Sequence, residues 1–148
     1  MHRTLTYCSL AFLFAGCGGE GAKAITEFDT GPSAEVDVDA PIVEHVPIDS
    51  AQPIGRDVQI SAIVTDELSR IDSVAVNYKR PEEADWKSNL LDETDAESGT
   101  WSGVIPGADV SGGNIVYYLQ AIDTEGNEGF SPLDGEANPH GFRVNPDA

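Results

Sequence analysis

The sequence predicts an all-β protein, a single antiparallel β-sandwich of about seven strands. Three observations predict it. From Pro41 onward, apolar residues recur at every second position in short runs, the period of a half-buried strand. Turn formers break those runs, drawn from a complement of 15 Gly and 9 Pro. No stretch holds a helical 3.6-residue spacing for a useful length. At 148 residues there is room for one ordinary core and not for two.

Residues 1 to 16 have the grammar of an export signal. Arg3 and His2 open it, an apolar run extends from Leu5 to Ala15, and the small residues Ala15 and Gly16 close it. The run is about half of the roughly 20 apolar residues needed to cross a bilayer. The stretch "LFAGC" resembles the lipobox of bacterial lipoproteins, with Phe14 standing where that motif most often has Leu. The resemblance implies cleavage before Cys17, a diacylglycerol on its thiol and acylation of its freed amine. More than one acyl chain makes a stable membrane anchor. Gly18 rather than Asp after the cysteine implies sorting to the outer membrane of the bacterial envelope. Cys8 and Cys17 are the two cysteines of the chain, so the region after them has neither a disulfide nor a cysteine-based zinc site.

Residues 17 to 40 are rich in Gly, Ala and acid, and read as a flexible acidic tether. The alternation in "AEVDVDA" leaves a second reading open, a first strand. The sandwich is expected over residues 41 to 146. Its first strand candidate is "PIVEHVP". In "RDVQISAIVTD", Val58, Ile60, Ala62 and Val64 share an inward face, and in "IDSVAVNYKR" Val74, Val76 and Tyr78 do so, with Ser73, Asn77 and Lys79 outward. "DWKSNLL" is read as one short strand. In "GTWSGVIP", Trp101, Gly103 and Ile105 share a face and Pro106 ends the pairing, since it lacks an amide donor. In "NIVYYLQAID" the wholly apolar set is Ile115, Tyr117, Leu119 and Ala121, which assigns it to the core. "HGFRV" closes the series.

Seven strands over about 105 residues suit an immunoglobulin-type sandwich. The phrases "IVYYLQAIDTEGNEG" and "GTWSGVIP" resemble those of immunoglobulin-like, fibronectin type III-like domains of bacterial surface and secreted proteins. The resemblance covers residues 41 to about 132 and implies the fold. It leaves function open, because such domains serve as spacers, adhesion modules and accessory domains of enzymes.

The chain carries 26 acidic residues against 8 Lys and Arg, a net charge of -18. That field repels phosphate backbones and makes nucleic acid a poor partner. His45 and His140 stand near opposite ends of the domain sequence and nothing places a Ser beside either, so a nucleophilic triad is not expected. Two acidic loops are candidates for Ca²⁺: "TDELSRID", with Asp66, Glu67 and Asp72, and "IDTEGNEG", with Asp123, Glu125 and Asn127. Calcium takes six to eight oxygen ligands, and in a sandwich these loops fall at one end. Turn chemistry explains the same residues, because Asp, Asn and Gly suit tight turns. Trp86 is either an exposed contact for carbohydrate or protein, or a cap on the core.

These readings converge on a lipid-anchored protein of the bacterial envelope, not an enzyme, whose sandwich is a non-catalytic module for binding an envelope protein or carbohydrate, for adhesion or for assembly. Two rivals stand beside it, a calcium-dependent ligand-binding module and a small envelope hydrolase.

Overall fold

The computed structural model describes residues 36–146. Among the described residues ten strands form, three more than expected. They are β1 (Ile42–Glu44), β2 (Gln52–Pro53), β3 (Val58–Thr65), β4 (Ile71–Lys79), β5 (Lys87–Leu90), β6 (Asp92–Asp95), β7 (Thr100–Ile105), β8 (Gly113–Asp123), β9 (Glu128–Ser131) and β10 (His140–Asn145). Two sheets result. One has the order β1-β3-β7-β6, and the other has the order β2-β10-β8-β4-β5, with β9 also on β8. All pairings are antiparallel except that of β10 with β2.

The core lies between the sheets and is built from the alternating faces that the sequence marks. Val58, Ile60, Ala62 and Val64 of β3 face Val74, Val76 and Tyr78 of β4 together with Ile115, Tyr117, Leu119 and Ala121 of β8, all buried. Each aliphatic side chain taken fully out of water there contributes about 1.5–3 kcal/mol. Register between β3 and β7 sets Trp101 opposite Ala62 and Ile105 opposite Val58, so the inward face of β7 is the expected one. Opposite residues of a pair share a face, and a slip of one residue would turn every one of these side chains to solvent.

The extra strands have identifiable origins. The stretch expected as one strand in "DWKSNLL" is divided between the sheets: β5 pairs with β4, and β6 pairs with β7. Leu91 sits at the switch, 4% exposed. Gly103 of β7 makes room for it, since a Cβ at Gly103 would press on the Leu91 side chain. β2, with two residues, and β9, with four, are too short for alternation to stand out. β9 exists because long β8 offers one edge to both β9 and β10, and β2 pairs with the far edge of β10.

Of the expected tether, residues 17–35 lie outside the described residues. Residues 36–40 form no strand, yet Asp37 is buried against the sandwich while Val36 and Val38 stand out in solvent, 74% and 77% exposed. Alternation is present in "AEVDVDA", but the residue that faces inward is the acid Asp37, while Asp39 is exposed. No helix among the described residues is long and apolar enough to cross a membrane.

Candidate metal centre

At one end of the sandwich the β3–β4 loop and the β8–β9 turn lie side by side, joined by the Thr124 N–H donating to the Arg70 carbonyl at 2.9 Å. Asp66 follows the last residue of β3, and Asp123 is the last residue of β8. Each organises its own turn. Asp66 Oδ1 accepts from the N–H groups of Leu68 and Ser69 at 3.0 and 2.7 Å. Asp123 Oδ1 accepts from those of Glu125 and Asn127, both at 2.8 Å, and its Oδ2 accepts from the Asn127 side-chain amide at 2.8 Å. Gly126 takes φ +90° in that turn, a conformation that residues with a side chain avoid. Turn chemistry of the kind read from sequence is therefore present at both loops.

A third carboxylate joins them. One carboxylate oxygen from each of Asp37, Asp66 and Asp123 lies within 4.8 Å of the other two. Two oxygens that bind one Ca²⁺ at about 2.4 Å are at most ~4.8 Å apart, so the three fit a shared ion. Asp37 is 6% exposed and Asp123 is 2% exposed. Asp37 Oδ1 accepts from the Asp39 N–H at 3.0 Å, but buried Oδ2 has no hydrogen-bond partner. The Ser69 hydroxyl is buried beside Asp66 and Asp123 and helps to hold both carboxyls low. Buried acceptors are rarely left unmet, because the lost hydration is not returned. Among the described residues, the ion pairs of Lys and Arg are Arg80 with Glu82 and Lys87 with Asp109, so none reaches these three acids.

Electrostatics keep the loop carboxylates ionised. The Ser69 N–H, helped by that of Leu68, holds the Asp66 carboxyl below the ordinary carboxylate value against the effect of burial and, to a smaller extent, the like charge of Asp123. Burial pushes the Asp123 carboxyl up, but hydrogen bonds from Asn127 and Glu125 outweigh it, and the group also titrates low. A shallow cleft of about 410 Å³ lined by Asp39, Ala40, Ile42, Thr65, Asp66 and Glu67 opens beside the group. Hard oxygen donors of this kind select Ca²⁺, Mg²⁺ or Mn²⁺ over softer metals.

Of the residues singled out in the loops, the structure brings together Asp66 and Asp123, with Asn127 bonded to Asp123. Glu67, Asp72 and Glu125 are exposed and stand outside the group. Asp37 was missed because it sits in a stretch whose composition reads as tether. The one available signal was the alternation of "AEVDVDA". Cys17 lies outside the described residues. Trp86 is half-buried just before β5, its ring edge-to-face with Tyr118 at 4.9 Å and with Lys79 Nζ 4.7 Å from the ring centre. Much of its surface is thus spent inside the molecule, on the outer face of the larger sheet.

The histidines are a correction. Far apart in sequence, His45 and His140 have ring centres 5.5 Å apart, and Ser131 Oγ lies 3.4 Å from His140 Nε2. Pairing of β10 with β8 puts His140 opposite Tyr117, and the chain after β1 brings His45 to the same place. His45 Nδ1 donates to the Ser61 carbonyl at 2.7 Å and its Nε2 accepts from the Tyr117 hydroxyl at 2.9 Å. Burial lowers the pKa of both imidazoles, with the charge of His45 adding to the effect on His140. No carboxylate hydrogen-bonds either ring among the described residues, so the group that orients a general base in a triad is missing from this cluster.

No family model matches the chain, and no curated protein matches it. Among solved structures, the fold is similar to part of an endo-β-1,4-mannanase from Thermotoga petrophila, with TM-score 0.50 and 13% identity; the match covers 74% of this chain and 20% of that one. The likeness is one of fold, and this chain spans a small part of the enzyme it resembles. It overturns the expectation of a non-catalytic module for binding, adhesion or assembly, because the neighbour is an enzyme that cleaves a glycan. The lack of a nucleophilic triad in the sequence does not carry absence of catalysis, and neither does the fold.

Proposed function

We propose that the loop end of this sandwich is a Ca²⁺ site with Asp37, Asp66 and Asp123 as its carboxylate ligands. The observation that carries this is Asp37: its buried Oδ2 has no hydrogen-bond partner, and one of its carboxylate oxygens lies within 4.8 Å of one from each of two further carboxylates that no Lys or Arg of the described residues neutralises. A divalent cation supplies the missing partner and offsets the repulsion, with backbone carbonyls and water filling the remaining positions. We further propose, on the resemblance of "LFAGC" to a lipobox, that lipid on Cys17 holds the domain at the outer membrane of the bacterial envelope.

A second reading concerns chemistry. The mannanase likeness favours a part in glycan cleavage and makes β-1,4-linked mannan the first substrate to offer. One preparation tests both. Calorimetry and thermal melting of the chain with Ca²⁺ are expected to show a binding heat and a rise of about 2.7 kcal/mol in stability at 100 times the dissociation constant, reversed by chelation. No heat and an unmoved midpoint at millimolar Ca²⁺ overturn the cation site. Release of reducing ends from the mannan tests the second reading, and its absence with and without Ca²⁺ removes that reading alone.

A further inference from the structure

We infer that the cation does more than sit between loops: it pins residues 36–41, the strap that leads into β1, onto the end of the sandwich. This rests on the Ca²⁺ reading above and concerns what occupancy does. The strap is patterned backwards. It exposes Val36 and Val38 and buries Asp37, giving up apolar burial in order to take a carboxylate out of water. The protein's own ties on Asp37 are slight. Asn127 Nδ2 donates to the Asp37 carbonyl at 3.3 Å, and the bond from the Asp39 N–H is local to the strap itself.

Closer to β1 the strap is held by packing. Pro41 is buried and its carbonyl lies so near Gly129 of β9 that a Cβ there would overlap it. Its far end, by contrast, carries an acid facing two other acids. Without a cation, that end gains by releasing Asp37 to solvent, where the carboxylate recovers its hydration and leaves Asp66 and Asp123. With a cation, Asp37 contributes a ligand and the strap closes over the site. Occupancy then decides whether residues 36–40 lie against the loop end or leave the sandwich at Pro41.

Hydrogen exchange of the full-length chain followed by mass spectrometry tests this, with calorimetry under the same conditions. Saturating Ca²⁺ is expected to slow exchange tenfold or more in peptides spanning residues 36–40, which in the chelated protein exchange faster than peptides of β4 and β8. Asp37→Asn is expected to weaken Ca²⁺ binding at least tenfold and to abolish the slowing, with the midpoint of the metal-free protein unchanged or raised. Asp37→Ser serves as a second variant. Ca²⁺ heat with unchanged exchange at 36–40 overturns the strap and leaves the cation site standing, whereas wild-type affinity in both variants overturns Asp37 as a ligand and the strap with it. Exchange that is already slow in the chelated protein also overturns it. Absence of any Ca²⁺ heat removes the site itself, and the strap with it.

Discussion

Replacing Tyr117 with Phe removes one oxygen from the middle of the core and leaves its shape intact. Tyr117 is 0% exposed, and its hydroxyl accepts from the Ile48 N–H at 3.1 Å while donating to His45 Nε2 at 2.9 Å. Through these two bonds β8 holds the stretch that follows β1. The substitution strands a backbone donor and an imidazole nitrogen together, and an unmet buried group costs about 1–3 kcal/mol where it cannot reach water. Both partners are partly buried, so the low end of that range applies to each and the loss comes to about 2 kcal/mol. For a domain of this size that lowers the melting midpoint by roughly 10 °C. Guanidinium unfolding with an unchanged slope measures it directly. Tyr118→Phe is the control: its ring lies on the outer face, its hydroxyl has no hydrogen bond among the described residues, and the change is expected to stay within about 0.5 kcal/mol. A loss below about 0.5 kcal/mol for Tyr117→Phe refutes the hydroxyl as the tie between β8 and the stretch after β1.

Two further predictions follow from the same geometry and from the sequence. His45 and His140 have folded pKa values below the ordinary 6.5, so in the window beneath 6.5 the unfolded chain binds more protons than the folded one. Stability is therefore fully present above pH 6.5 and falls as pH drops through that window; melts at pH 7.5 and pH 5 are expected to show it, with a shallower slope in His45→Gln, and equal midpoints refute it. For the anchor, Cys17→Ser is expected to move the protein from the membrane pellet to the soluble fraction after a high-salt wash. Retention of the variant in the pellet counts against lipid at that residue.

The sequence by itself determined the all-β class and the buried faces of β3, β4, β7 and β8, because a strand's side chains alternate strictly and one face must be apolar to be buried. It also marked Asp66 and Asp123, since turn loops at one end of a sandwich necessarily approach each other. What it could not show are placements made by neighbours distant in sequence. The division of "DWKSNLL" between two sheets depends on Gly103 receiving Leu91, and the meeting of His45 with His140 depends on the register of β10 against β8. Asp37 is the clearest case. Its composition places it in a tether, and only tertiary packing, which turns Val36 and Val38 outward and Asp37 inward beside Asp66 and Asp123, makes it the third acid of the loop end. Local pattern records which face of a segment is apolar; it holds no information on a site that buries the polar face instead.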